Sequence, residues 1–386
     1  MPVLVASLIL TGTIHAQSTW SGGATPNANF SASGNWDVAP TSGGGNNLFF
    51  GGSVNLNPNN DITLTTLDTG ITFNPGASTF TIIGGAIRAG NITNNSSLAQ
   101  NIIPSLRLNG TRTIDVGSGG ILLGQPVGST STSSRTVTKV GVGDLIITGG
   151  TANSGGSSYN VLQGALVISN SLQNTILGSP TASAGVSLGA SGTTLRIISG
   201  GNVTMSGTIT TVSGSSVIIN SGALTVSNGV SIASGASLSG NGLIKGSTIS
   251  VSGNMAPGLN GIGALTNRNT VAFAPGSSIT LELDRSLAVN ADLLSGNLIN
   301  FDGLLNITNI GTSLQAGDAF NLFDGTLSGT FASTNLPTLD AGLGWDFSQF
   351  SSQGIISVDA VPEPTVAALL GTGAVAVVWR ARRRRA

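Results

Sequence analysis

The sequence predicts an all-β fold: a parallel β-helix, or solenoid, with β-rich ends and one short apolar helix at the C-terminus. Three observations carry this expectation. Only 8% of the 386 residues are Asp, Glu, Lys or Arg, while 57 are Gly. Ser, Thr and Asn take over the solvated surface, and these compete for the backbone in helices and so favour strands and turns. Short segments alternate apolar with polar residues, as in Ala223-Leu224-Thr225-Val226-Ser227, Ile249-Ser250-Val251 and Ile279-Thr280-Leu281-Glu282-Leu283-Asp284. Such alternation buries one face of a strand and wets the other. Finally, residues 164–170 (GALVISN) return as residues 222–228 (GALTVSN), the self-similarity expected when coils stack on one another. A β-sandwich is the alternative. It suits the strand spacing, but it needs bulky inward residues on both sheets, which the Gly/Ser-rich middle does not supply.

In chain order the expected parts are a signal peptide over 1–16, an N-terminal β region and solenoid cap over 17–130, a β-strand repeat region over 131–260, a C-terminal β region over 261–360, and a sorting and anchor segment over 361–386. Residues 3–10 (VLVASLIL) form an apolar run too short to span a bilayer, and Ala16 is a small residue suited to cleavage. Ile14 stands where a small residue is usual, and no Lys or Arg precedes the run. In the next region Trp20 and Trp36 are expected to close the open end of the solenoid; the alternative is that exposed indoles stack on glycans. Turn signals are dense, among them Asn109-Gly110, Asn228-Gly229, Asn241-Gly242 and Asn260-Gly261, pairs that accept positive φ at little cost.

Charge divides unevenly along the chain. Five of the 14 basic residues are Arg380 and Arg382 to Arg385, so the body before Val361 holds nine bases against 14 of the 15 acids. A weakly acidic body with scattered bases is a poor nucleic-acid binder, because phosphate recognition needs a basic face. There is no Cys, and the one His, His15, lies in the expected signal peptide. The mature chain therefore lacks disulfides, thiolate nucleophiles and the commonest general base and metal ligands.

The C-terminus carries the most specific pattern: Val361-Pro362-Glu363-Pro364, then the apolar residues 365–379 (TVAALLGTGAVAVVW), then Arg380, Arg382, Arg383, Arg384 and Arg385. Fifteen helical residues rise about 22 Å, short of a ~30 Å hydrocarbon core. The arginines are expected to stay cytoplasmic and so place the body on the far side of the inner membrane. The prolines keep Glu363 in an extended, accessible segment. This order of parts resembles the PEP-CTERM sorting signal of Gram-negative bacteria. The resemblance implies that Pro362, Glu363 and Pro364 are recognised by exosortase, a membrane-embedded transpeptidase-like protease, after a transient inner-membrane stage, and that the body then reaches the cell surface or medium.

The middle of the chain, with Lys139-Val140-Gly141-Val142-Gly143-Asp144-Leu145 and residues 161–166 (VLQGAL), resembles the autotransporter-associated β-strand repeat. Residues 255–258 (MAPG) and 318–323 (DAFNLF) resemble the end regions of passenger-type proteins, and residues 19–23 with 35–37 resemble their opening.

No catalytic constellation is expected. Glycoside hydrolysis needs two carboxylates facing one another across a cleft, and lyases need clustered acids for a cation. Asp61, Asp68, Asp115 and Asp144 are widely spaced, and Asp302 and Asp324 sit in Phe-Asp-Gly triplets that suit turns. Neither a cofactor nor a metal is expected. The expected function is that of a non-enzymatic structural or adhesive protein in an exopolysaccharide-rich envelope, with envelope glycans as candidate partners. The alternative is a secreted carbohydrate-active enzyme or carbohydrate-binding protein on the same scaffold.

Overall fold

The alternation seen in the sequence becomes, in three dimensions, three parallel sheets wound from one chain. The computed structural model describes residues 16–150, 156–169, 175–177, 184–259 and 261–361. Its first face begins with Ala16–Trp20 and climbs through Asn46–Phe50, Arg112–Val116, Arg135–Val140, Ser157–Val161, Val186–Leu188, Val230–Ile232 and Ile249–Val251. The second begins at Asn59–Asn60 and climbs through Gln100–Ile102, Ile121–Leu123, Leu145–Ile147 and Ala165–Ile168 to Ser278–Leu283, Leu304–Asn309 and Ser333–Asn335. The third begins within Leu64–Phe73 and passes through Leu106–Leu108 and Leu243–Lys245. Every ladder of this body is parallel, so the chain is a solenoid and not a sandwich. Coil length varies: Trp20 lies beside Phe50, 30 residues on, whereas Ile232 lies beside Val251, 19 residues on.

Long strands turn corners by slipping register. Leu64–Phe73, Ala264–Phe273 and Leu293–Phe301 cross from the third face to the first, and Thr194–Met205 and Ser216–Val226 cross from the second to the third. The repeated segment of the sequence is thereby split between faces. Ala165–Ile168 belongs to the second face, while Ala223–Val226, within Ser216–Val226, stacks on Asn202–Met205 of the third. What repeats is a glycine corner followed by a strand, since Gly164 and Gly222 take φ of 63° and 80°. Of the Asn-Gly pairs, Gly229 and Gly261 take positive φ, and Gly110 and Gly242 do not.

The core is a column of stacked side chains. On the second face Ile102, Leu123, Ile147, Ile168, Ile197 and Ile219 lie in register, each 0–1% exposed. Each contributes about 1.5–3 kcal/mol of burial. Corners would strand backbone carbonyls inside the column, and buried amides take them up. Asn94 donates to the carbonyls of Leu98 and Gly120 at 3.1 and 2.8 Å, and Gln100 to those of Ser78 and Leu98 at 3.1 and 3.2 Å.

Both ends are closed with aromatic rings. At the N-terminal end Trp20 and Trp36 meet edge to face at 4.9 Å and pack with Phe30 and Phe50. Trp36 donates its indole N–H to the Phe30 carbonyl at 3.0 Å. At 2% and 5% exposure neither indole offers a face to a sugar, so the capping role holds and the glycan-stacking alternative does not. At the other end an antiparallel sheet of Ala319–Asn321, Ile355–Ala360 and Leu343–Asp346, with the helical turn Phe350–Gln353, packs against Phe301, Phe323 and Phe331. The expected C-terminal membrane helix lies outside the described residues. Among those described, no helix is long and apolar enough to cross a membrane.

The close stacking of coils is testable at two glycines. A Cβ on Gly143 would sit on the Gly117 carbonyl oxygen, a backbone atom that cannot move without lifting a rung. Gly192 has open space around it but φ of 77°. Gly143→Ala is expected to destabilise by more than about 3 kcal/mol by overpacking, and Gly192→Ala by about 1 kcal/mol through its left-handed backbone. Denaturant unfolding followed by circular dichroism compares them.

Candidate functional site

The last described strand, Ile355–Ala360, runs antiparallel to Leu343–Asp346 and delivers the chain to Val361, whose N–H donates to the Gly342 carbonyl at 2.8 Å. Val361 is 54% exposed, so the chain leaves the body at its surface. Pro362, Glu363 and Pro364, and Arg380, Arg382, Arg383, Arg384 and Arg385, lie outside the described residues.

Within the body the carboxylates are spread over successive coils. Asp68 pairs with both Arg88, at 2.7 Å, and Arg112; Asp144 pairs with Arg196; Asp318 pairs with Arg285 at 2.8 Å. Others shape turns. The Thr19 N–H holds Asp37 below the usual carboxylate range, and the hydroxyls of Ser286 and Ser348 do the same for Asp284 and Asp346. Partial burial pushes Asp61 up, but the hydroxyl and N–H of Ser31, at 2.5 and 2.9 Å, outweigh it. Asp302 caps a corner by accepting the Gly303 N–H at 2.6 Å. Asp324 belongs instead to the strand Phe323–Gly329, where Ser295 of the preceding coil donates to it at 3.2 Å. Both aspartates precede a positive-φ glycine.

Three polar grooves of about 410–520 Å³ lie along the coils. One, lined by Thr136, Ser158, Asn160, Ser187 and Thr210, contains no carboxylate; the others contain Asp324 and Asp68 respectively. Among the described residues no group of three or more His, Cys, Asp or Glu is placed to hold a metal ion.

The repeat-like segment of the middle region has a definite geometry. Lys139 ends its buried side chain in three backbone carbonyls, those of Val140, Gly141 and Gln163, at 3.3, 2.5 and 2.8 Å. Burial pulls its ammonium down to about 8, against the raising pull of Asp144 and Asp115. Gly164 leaves room for that ammonium: a Cβ there would lie 2.8 Å from Nζ. Lys and Gly at these spacings thus close a corner between coils, and the sequence signal that marks them is architectural.

One buried acid was not singled out from sequence. Asp292, 1% exposed, accepts N–H groups of Gly263 and Glu282 at 2.7 and 2.8 Å. Burial nonetheless raises it to about 7, those two N–H groups oppose the rise, and the Glu282 charge adds to it. A carboxyl raised in the folded state binds its proton more tightly there than in the unfolded chain, so its stabilisation is complete below about pH 4 and is lost as pH rises through about 7. Unfolding free energy measured from pH 4 to 8 is expected to carry this decline in the wild type. The component should vanish in Asp292→Asn, whatever that variant's absolute stability.

The C-terminal model for the PEP-CTERM protein-sorting motif matches residues 360–384. Its first two residues, Ala360 and Val361, are the last described ones, at the exit from the antiparallel sheet. No curated protein matches the chain. A motif of this kind implies export, recognition by exosortase and a membrane-associated sorting step; this chain carries it on a β-helical body.

Proposed function

We propose that this is a non-enzymatic structural or adhesive protein of the bacterial cell surface or extracellular matrix. Its C-terminal segment acts as an address that is removed on delivery. The observation that carries the reading is the sorting-motif match over 360–384, beginning where the body ends. In this reading residues 365–379 hold the chain briefly in the inner membrane, with Arg380 and Arg382 to Arg385 on the cytoplasmic side. Exosortase recognises Pro362, Glu363 and Pro364, and the body is released to an envelope rich in exopolysaccharide. The Lys139 segment is read as a copy of the autotransporter-associated β-strand repeat, used for building coils. The body's surface supports a scaffold role: Ser, Thr and Asn line its long faces, and carboxylates such as Asp68, Asp144 and Asp302 are ion-paired or turn-forming.

Intact-mass analysis of protein recovered from the native envelope tests the address. The wild type is expected to lack the arginine-bearing segment and Glu363→Ala to retain it. A wild type that keeps its arginines, or equal trimming of both forms, sinks the sorting role and leaves a plain tail anchor.

A further inference from the structure

The body's bases are not scattered in space. Between residues 62 and 139 there are five bases and two acids, whereas between 261 and 361 there are nine acids and two bases. Coiling brings four of the first group, Arg88, Arg107, Arg112 and Arg135, to the corner between the third and first faces, while Lys139 is turned into carbonyls at the other end of its strand. Arg88 and Arg107 are register partners on adjacent rungs, about 4.8 Å apart along the stack. Arg112 opens the first-face strand of the Arg107 coil, and Arg135 opens the strand stacked on it. Asp68 is the one carboxylate ion-paired with this group among the described residues, held by Arg88 and Arg112 together. Arg107 has no ion pair there, and its buried Nε–H has no acceptor. Three arginines around one aspartate leave a surplus of positive charge.

The arginine corner opens onto a groove of about 410 Å³ on the first face, lined by Asp68 and Arg112. Asn47 and Asn91 line it together with Gly70 and Gly90, the Asn47 side-chain oxygen lying over Gly70, the Thr72 and Thr93 side chains stand beside them, and Phe49 presents a half-buried ring. We infer that this groove and its arginine corner bind an acidic polysaccharide through its carboxylates. Asp68 already occupies the guanidinium forks as a carboxylate, and the planar forks of Arg107 and Arg112 have donors left for carboxylates of a ligand. The amides of Asn47 and Asn91 and the hydroxyls of Thr72 and Thr93 match the neutral groups of a sugar ring, and Phe49 offers an apolar face. Duplex nucleic acid fits less well, because the patch spans only a few rungs and the far end of the body carries a surplus of acids that repels a long polyanion.

The inference rests on the reading of the body as an adhesive surface protein, but its test does not depend on the sorting step. The full-length chain, purified in detergent, is titrated with polygalacturonate, neutral dextran and a DNA duplex. Expected are binding of polygalacturonate that weakens between about 50 and 200 mM salt, no binding of dextran and weaker binding of DNA. Arg107→Gln/Arg112→Gln should weaken polygalacturonate about tenfold; Arg107→Gln alone, which removes no ion pair, keeps the test if the double variant does not fold. Asp68→Asn removes the competing carboxylate and should tighten binding about threefold or more, the opposite of what a merely structural Asp68 would do. Lys245→Gln/Arg268→Gln, the same charge change elsewhere, should leave binding unaltered. The inference is overturned by absent polygalacturonate binding, by equal loss in the distant pair, by no loss in the arginine variants, or by DNA binding at least as tightly. Cleavage of the tail can fail with this binding intact, and the binding can fail with cleavage intact.

Discussion

Everything in this molecule depends on parallel strands stacked in register at about 4.8 Å. Along the column axis each inward side chain is covered by its counterparts one rung above and below, so burial is continuous along the column and incomplete at its ends. The aromatic closures answer that geometry. Trp20, Phe30, Trp36 and Phe50 fill the first coil, and Phe301, Phe323, Phe331 and Phe350 fill the last. Corners obey the same constraint, since a coil can approach its neighbour only where the backbone is bare. Gly141 and Gly143 lie directly on the carbonyls of Val116 and Gly117.

Register stacking also accounts for the scarcity of charge. A residue type repeated on an outward position meets itself on the next rung, and like charges near 4 Å repel by about 1 kcal/mol in water and about 4 kcal/mol at an effective dielectric constant of 20. Hydroxyls and amides bear repetition: Thr194 bonds Ser216, Ser278 bonds Asn254, and Asn335 bonds Asn306 across rungs. Several of the charges that do occur are neutralised between coils, as in Asp68 with Arg88 and Arg112, or Asp144 with Arg196. Arg88 and Arg107 are instead like charges on adjacent rungs. The repulsion there is offset only in part by Asp68, which makes that corner the natural place for an external anion.

The body and the tail divide the work. The tail match implies export and a membrane-associated sorting step, and it covers none of the coils. The coils present long neutral faces, one cationic corner and an acidic far end. Val361 leaves the body at its surface, so the matched segment is joined to the coils through an exposed residue and not through the core.

Local chemistry was legible in the amino-acid sequence by itself. Alternation at Leu224 and Val226 marked the buried face, turn-forming aspartates such as Asp302 were recognisable from the glycine that follows, the scarcity of charge pointed to an all-β chain, and the order of Pro, Glu, apolar and Arg residues at the end named the sorting signal. Tertiary structure alone decided which residues meet across coils. Coils of 19 to 30 residues have no fixed period, so the near-identical segments at 164–170 and 222–228 fall on different faces, and Asp68 finds Arg88 and Arg112, 20 and 44 residues away. A strand signal reaches only to the next turn, whereas the charge of a corner is summed over rungs, and only the winding of the chain determines which rungs those are.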